Sequence, residues 1–172
     1  MPKKSVQKDV LILMGSETDA DTVDFACAVL DVLKITYDQR ITSAHRTPWR
    51  LAYAASRAKK QGFKVILGFA GGSAHLPGMA ASYTPLPAFA VAVLSKTSVI
   101  NDFCAVFSSI GMPKGAPLNF CGYGQAGAEN AALMAALVLA LSDKVLAARV
   151  DAHRLKQARS VRRKPRPKGK RS

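Results

Sequence analysis

Five short segments, most of them apolar, are separated by stretches with helical spacing, and this alternation constrains the fold of the chain more than any other feature. The first, Val10–Met14, is apolar throughout and ends at Gly15. A short run of this kind, bounded by a turn residue, predicts a strand that is buried on both faces. Further strands are predicted at residues 35–41, 64–69, 87–93 and 118–121.

Helical patterns follow most of these strands. Thr18 or Asp19 is suited to cap a helix that runs to about Leu33, with apolar residues three and four positions apart on one face. Thr47 followed by Pro48 has the form of an N-cap and a first helical residue, and Gly62 ends that helix near residue 61. Further helices are predicted at 99–110, at 126–141 and from 143 towards the C-terminus.

Strands that alternate with helices predict an α/β fold, in which a parallel five-stranded sheet lies between two layers of helices. Ligands of such sheets bind beyond the carboxyl ends of the strands, where the strand order reverses. This rule selects the loops after the first three strands, which read GSETD (15–19), TSAHRTP (42–48) and GFAGGSAHLPG (68–78). All three are rich in glycine, hydroxyl and ionisable residues.

The first loop has two interpretations. Ser16, Thr18 and the start of the following helix offer hydrogen-bond donors to an anion, and Asp19 offers an acceptor to sugar hydroxyls. An ordinary turn with a helix cap explains the same residues equally well.

The second and third loops each contain a histidine. His45 is suited to proton transfer near neutral pH, and Arg46 beside it is suited to binding phosphate. In the third loop, glycines at 71 and 72 allow the backbone to approach a ligand, and small residues leave room for one. His75 is predicted either to contact substrate or to have a capping or hydrogen-bonded structural role.

The segment 122–127 (GYGQAG) matches the GxGxxG pattern of dinucleotide-binding sites. Such a site also needs a further strand after the helix, ending in an acidic residue about twenty positions on. The sequence predicts no sixth strand, so the motif does not indicate nicotinamide or flavin binding.

The net charge of +14 is concentrated at the C-terminus. Residues 1–150 have a charge of +5, whereas residues 151–172 have a charge of +9 and end in SVRRKPRPKGKRS. A segment of this composition does not pack into a core, but it attracts polyanions without reading sequence. Most of the excess positive charge therefore belongs to a C-terminal appendage of the folded part and does not indicate its function.

Three isolated cysteines without CxxC spacing, Cys27, Cys104 and Cys121, exclude a disulfide scaffold or zinc ribbon and favour a reducing cytoplasm. Each lies in an apolar stretch, which predicts small buried hydrophobic residues. The longest apolar run has eleven residues, too few to cross a membrane.

Six segments together resemble the N5-carboxyaminoimidazole ribonucleotide mutase (PurE) family of de novo purine synthesis. They lie at 14–19, 43–48 (SAHRTP), 74–79 (AHLPGM), 84–87 (TPLP), 112–113 and 126–132 (AGAENAA), in the order found in that family. The similarity covers about residues 9–142, and SAHRTP together with AHLPGM is its most specific part. It implies a flavodoxin-like fold, with a single domain at 1–157 and a basic tail at 158–172 that has no counterpart in the family.

The resemblance implies a cytoplasmic, cofactor-free and metal-free isomerase that moves a carboxylate from an exocyclic nitrogen to the neighbouring ring carbon of an imidazole ribonucleotide. His45 would be the general acid and base. The family assembles as a homo-octamer. The substrate-binding residues would be Ser16, Asp19 and Arg46, with Thr18 and Ser43 near the phosphate, and Ala70, Gly71 and His75 around the carboxylate and carbon dioxide.

Two alternatives to the mutase remain. One is direct carboxylation of aminoimidazole ribonucleotide with carbon dioxide, and the other is a non-catalytic protein that binds nucleotides or nucleic acid. Thr18, Ser73, Ala92 and Gly111 differ from the residues usual in the family. The predicted helix at 126–141 has almost no polar face, so it packs either inside the domain or against another subunit.

Overall fold

Strands and helices alternate along the chain in the computed structural model, which describes residues 8–95 and 97–164. The strands are β1 (Val10–Met14), β2 (Tyr37–Ile41), β3 (Val65–Ala70), β4 (Ala88–Ala92) and β5 (Asn119–Tyr123). The helices are α1 (Ala20–Val32), α2 (Pro48–Ala58), α3 (His75–Tyr83), α4 (Val99–Ile110), α5 (Gly124–Ala140) and α6 (Lys144–Ser160). None of the helices in these described ranges is long and apolar enough to cross a membrane.

The five strands form one parallel sheet in the order β2-β1-β3-β4-β5. At the carboxyl edge, Met14 of β1 lies between Ile41 of β2 and Phe69 of β3. The chain leaves β1 towards one side of the sheet and later continues on the other, so the strand order reverses there. The predicted fold class is confirmed, and the loops after β1, β2 and β3 all begin at this reversal.

Side chains of the central strands alternate between two cores, as the period of two in a strand requires. Val10, Ile12 and Met14 of β1 pack in the core that includes residues of α1, α5 and α6. Leu11 and Leu13 pack in the core that includes residues of α2, α3 and α4. The sheet is therefore covered on both faces, which explains why β1 is apolar throughout.

Helix α5 packs inside the domain. Its alanines at 131, 132, 135 and 136 are fully buried in the core that β1 and α1 share. These small side chains let this face of the helix lie close to the sheet. The alanine face of the predicted 126–141 segment therefore packs within the chain, whereas Leu137 and Leu141 of the same segment are 39% and 88% exposed.

Helix α3 is an element that the sequence patterns did not predict. Its first turn contains Pro77 and Gly78, two residue types that are common in turns. Proline near the start of a helix loses no internal hydrogen bond. A side chain at Gly68 of β3 would meet Pro77 at 3.0 Å, so this glycine allows α3 to approach the sheet closely.

The GxGxxG segment has a structural explanation. It spans the end of β5 and the first turn of α5, where Gly122 and Gly124 have φ values of 113° and 54°. A Cβ at Gly127 would collide with the carbonyl carbon of Gly122, so only glycine fits there. In the described part of the chain, α5 is followed by α6 and not by a strand, as the sequence predicted.

Helix α6 crosses the predicted boundary between domain and tail. Asp143 caps it by accepting hydrogen bonds from the backbone N–H groups of Val145 and Leu146, both at 2.9 Å. The helix continues to Ser160, three residues beyond position 157, and residues 161–164 are exposed. The rest of the predicted tail, 165–172, lies outside the described residues.

Candidate active site

A cavity of about 380 Å³ opens where the loops after β1, β2 and β3 meet. Its size lies within the range of ~300–1,000 Å³ that is usual for small-molecule sites. Eight of the nine predicted site residues line it, namely Ser16, Thr18, Asp19, Ser43, His45, Arg46, Ala70 and Gly71. The ninth, His75, contacts His45 directly.

The loop after β1 is organised by the carboxylate of Asp19. One oxygen of this carboxylate, Oδ2, accepts hydrogen bonds from the backbone N–H groups of Gly15 and Ser16 at 2.9 and 3.0 Å. The side chain is buried, and burial raises the pKa of Asp19, although these two hydrogen bonds and the nearby Arg46 act in the opposite direction. At least one of the two oxygens thus holds the loop together.

Two hydroxyls stand at the start of the first helical segment. Ser16 Oγ and Thr18 Oγ1 lie 2.5 Å apart, at the one-turn 3₁₀ helix Glu17–Asp19 that leads directly into α1. The N-terminal end of a helix attracts negative charge through its free backbone N–H groups. The two hydroxyls are therefore placed to bind an anionic group in the cavity.

The loop after β2 directs Arg46 towards the loop after β1. Ser43 Oγ accepts hydrogen bonds from the backbone N–H of Arg46 at 3.2 Å and from its Nε at 3.4 Å. Arg46 Nη2 reaches the carbonyl oxygen of Gly15 at 3.5 Å. Thr47, the predicted N-cap, turns its hydroxyl back to the backbone of Ser43 instead of capping α2. The guanidinium is thus held against the backbone of the loop after β1.

The two histidines form a hydrogen-bonded pair between different loops. His45 Nε2 lies 2.8 Å from His75 Nδ1, and the rings are almost perpendicular, with their centroids 5.0 Å apart. One of these two nitrogens donates and the other accepts, so the tautomer of one ring fixes that of the other. Both side chains are exposed, and a proton on this pair is therefore accessible from the cavity.

The third wall of the cavity is made of small residues. Ala70 ends β3, and Gly71 follows it, where a Cβ would lie 3.0 Å from the carbonyl oxygen of Val93. Gly72 has a φ of +59°, which favours glycine. Backbone in this loop is consequently close to the cavity, with no bulky side chain between Ala70 and His75.

One supporting residue was not predicted from the sequence. Ser108 of α4 accepts a hydrogen bond from the backbone N–H of Ala74 at 3.1 Å, directly before His75. The two residues are 34 positions apart, and a serine inside a helix carries no local signal of such a contact. Only the packing of α4 against the third loop reveals it.

A larger cavity of about 480 Å³ lies between β5, α5 and α6. It is lined mainly by apolar and amide side chains, and Arg154 is its only ionisable residue apart from Cys121. It contains no group suited to acid–base work near neutral pH. The smaller cavity, at which His45, Arg46 and the carboxylate of Asp19 converge, is therefore the candidate active site.

The cysteines differ in exposure, which corrects one prediction. Cys27 is buried and Cys121 is partly buried, and burial raises the pKa of both thiols to about 11. Cys104 is exposed on α4, contrary to the prediction that it is buried, because α4 turns several apolar residues outwards. Within residues 8–95 and 97–164, no three His, Cys, Asp or Glu side chains converge as a metal-ligand group.

A sequence model of one protein family, described as AIR carboxylase, matches residues 9–160. The chain belongs to the AIR carboxylase family. It is 52% identical over 157 residues to a protein of Brucella melitensis named N5-carboxyaminoimidazole ribonucleotide mutase, which covers 91% of this chain and 96% of the relative. A Bacillus subtilis protein of the same name is 43% identical over 149 residues, covering 87% and 91%.

Solved structures of this family have the same fold. The crystal structure of Treponema denticola PurE aligns with a TM-score of 0.75 at 26% sequence identity, covering 87% of this chain and 91% of that one. A variant structure, PurE2-S38D from the same organism, aligns with a TM-score of 0.77 at 25% identity. The resemblance to the mutase family inferred from the sequence motifs is thus confirmed.

Proposed function

We propose that this chain is an isomerase of purine biosynthesis, which converts N5-carboxyaminoimidazole ribonucleotide to 4-carboxy-5-aminoimidazole ribonucleotide. The observation that carries the proposal is the convergence of His45, Arg46 and the small residues of the third loop around one cavity. Relatives with the mutase name at up to 52% identity support the same activity.

The reaction moves one carboxylate and one proton within the substrate. The bond between the exocyclic nitrogen and the carboxyl carbon breaks, which releases carbon dioxide and leaves an amine. The ring carbon then attacks the carbon dioxide, and its proton must leave so that the imidazole regains aromaticity. The nitrogen gains one proton and the carbon loses one, so no oxidant, reductant or external acid is consumed.

His45 is the residue proposed for these proton transfers. Protonated, it donates to the exocyclic nitrogen as the carboxylate leaves, and it then accepts the proton from the ring carbon. His75, at 2.8 Å, fixes the tautomer of the His45 ring and lies beside the carboxylate position. One residue performs both steps, because the donated and the accepted proton belong to neighbouring atoms of the substrate.

The two sides of the cavity have different proposed roles in binding. Ser16, Thr18, Ser43 and Arg46 bind the phosphate side of the ribonucleotide, with Asp19 near the ribose. Ala70 and Gly71 form the wall of a small compartment that keeps carbon dioxide beside the ring carbon. Holding a small neutral reactant in place is a problem of proximity, which small rigid walls solve better than a strongly charged group.

The first experiment is turnover of N5-carboxyaminoimidazole ribonucleotide by the purified chain without ATP, compared with His45→Asn. We expect the ring-carboxylated isomer to form, and kcat to fall by about 10²–10⁴-fold in the variant, as for loss of a general acid and base. A wild type that does not convert N5-carboxyaminoimidazole ribonucleotide but carboxylates aminoimidazole ribonucleotide directly would be a carboxylase and not a mutase. Inactivity with both nucleotides would leave a non-catalytic binding protein.

We also propose that the chain assembles as a homo-octamer, with α4 as one contact surface. Five apolar side chains of α4 are 57–76% exposed, namely Val99, Ile100, Phe103, Phe107 and Ile110. A contiguous apolar stripe of this kind is typical of a surface that a partner covers. Native mass spectrometry should give eight chains for wild type and smaller species for Phe107→Glu. The matched control Val32→Glu, at an exposed site on α1, should leave the assembly intact.

The proposed domain division is a single domain at 1–157 with a basic tail at 158–172 that contacts polyanions nonspecifically. Arg159, Arg162, Arg163 and Lys164 are all exposed in its described part. Binding to a single-stranded oligonucleotide should weaken steeply with salt, and deletion of 158–172 should abolish it. Binding that persists in the truncated chain would refute the tail as the contact. For the cell, we propose a cytoplasmic enzyme, in keeping with three unpaired cysteines.

A further inference from the structure

The loop that carries His75 is attached to the rest of the domain at two points. At its start, Gly71 packs against the backbone of Val93 after β4. At its end, the backbone N–H of Ala74 donates to Ser108 Oγ on α4 at 3.1 Å. Ser108 is thus the one side chain of α4 with a described hydrogen bond to this loop.

The hydroxyl of Ser108 is suited to this contact. It donates its single hydrogen to the carbonyl oxygen of Cys104, 2.6 Å away in the preceding helical turn. Because its hydrogen points to Cys104, the lone pairs of the Ser108 oxygen are free to accept the hydrogen bond from the Ala74 N–H. Ala74 is only 1% exposed, and water is a poor substitute for that acceptor.

Ala74 stands directly before the helix that begins with His75. The N–H of His75 itself donates to the carbonyl oxygen of Ser73 at 2.7 Å, which makes residues 73–75 a tight turn. A shift of Ala74 would therefore move His75 with it. Since His75 Nδ1 is 2.8 Å from His45 Nε2, the position of the proposed acid–base residue depends on this turn.

We propose that Ser108 is a positioning residue, which holds the third loop so that His75 meets His45 and the carbon dioxide compartment keeps its shape. This inference rests on the proposed function. Ser108 does not line the cavity, and it acts only through the Ala74 N–H. The phosphate-binding residues belong to the loops after β1 and β2, so Ser108 should affect turnover and not nucleotide binding.

The neighbouring Ser109 provides a matched control. It lies on the same helix, and its hydroxyl also donates to a carbonyl one turn back, that of Ala105 at 2.9 Å. It is 1% exposed, so it is buried more completely than Ser108. It differs in having no described contact with the third loop. Ser109→Ala therefore removes an equivalent helical hydroxyl without releasing Ala74.

The test compares kcat and KM of Ser108→Ala, Ser108→Thr and Ser109→Ala in the full chain. We expect kcat of Ser108→Ala to fall by about tenfold or more, with KM for the nucleotide within about twofold of wild type, as for a small misplacement of reacting groups. Ser108→Thr keeps a hydroxyl that can bond back to the helix, and it should recover most of kcat. Ser109→Ala should keep wild-type kcat, whatever its thermal stability.

Amide hydrogen exchange separates this inference from the proposed function. In Ser108→Ala, a peptide spanning 71–76 should exchange faster than in wild type, and in Ser109→Ala it should not. Unchanged exchange, an unchanged kcat, or an equal loss of kcat in both alanine variants would overturn the positioning role. If the wild type has no mutase activity but residues 71–76 exchange faster in Ser108→Ala than in wild type, the Ser108 contact is upheld and the proposed reaction is refuted.

Discussion

The two sides of the cavity are built on different physical principles. The loops after β1 and β2 present charged and hydroxyl side chains that hold one another, as Asp19 holds Gly15 and Ser16 and as Ser43 holds Arg46. The loop after β3 presents mainly backbone and small residues, and its shape comes from elements outside it. The shape of the polar wall is determined by hydrogen bonds among its own residues. The shape of the wall of small residues is determined by the elements that pack behind it.

Of the substitutions in the two walls, Arg46→Ala in the polar wall should have the largest effect on the kinetic constants. Hydrogen bonds from a charged donor contribute ~1.5–3 kcal/mol, so we expect KM for the nucleotide to rise by about 10- to 100-fold while kcat changes little. Steady-state kinetics with the nucleotide as the varied substrate measures both. Arg50→Ala, an exposed arginine on the next helix, is the control. A fall in kcat with unchanged KM would place Arg46 on the chemical side of the cavity.

The complementary change is Gly71→Ala in the small wall. The new Cβ would lie 3.0 Å from the carbonyl oxygen of Val93, so the loop must shift by a few tenths of an ångström and narrow the compartment. We expect kcat to fall by about tenfold and KM to remain near wild type, because small displacements of reacting groups are costly.

Gly72→Ala separates loss of space from loss of stability. The neighbouring glycine has nothing within 4 Å of its Cβ position, but its φ of +59° disfavours other residues. Its substitution should lower the melting temperature slightly without filling the compartment. If Gly71→Ala and Gly72→Ala reduce kcat equally, crowding of the compartment is not the cause.

The contrast between the walls explains which parts could be predicted from the sequence. The positions of β1, β3 and β4 followed from apolar runs, because these strands are buried along their whole length. The parallel sheet and the three loops followed from the alternation of strands with helices. Helix α3 was missed because Pro77 and Gly78 are turn residues locally, and only the gap at Gly68 of β3 makes room for their helix. Ser108 was missed because its contact joins residues 34 positions apart.

The smallest expected effect is a change in the pH dependence of stability on substitution of Asp19, which tests how this carboxyl stabilises the polar wall. Burial raises the pKa of this carboxyl in the folded chain above the ordinary value of 3.8. A group with a raised pKa binds its proton more readily when folded, so its stabilising contribution is complete below the ordinary pKa and is lost as pH rises through the folded value. Asp19→Asn removes this titration and keeps an oxygen for the N–H groups of Gly15 and Ser16.

We therefore expect the unfolding free energy of Asp19→Asn, relative to wild type, to increase as the pH rises above the ordinary carboxyl pKa of 3.8. Urea unfolding of both proteins at one protomer concentration measures the difference, with Asp21→Asn as a control at an exposed site nearby. The opposite slope would mean that the hydrogen bonds from Gly15 and Ser16 and the charge of Arg46 outweigh burial. The ionised carboxylate of Asp19 would then stabilise the loop after β1, because the N–H groups of Gly15 and Ser16 and the charge of Arg46 would compensate its negative charge.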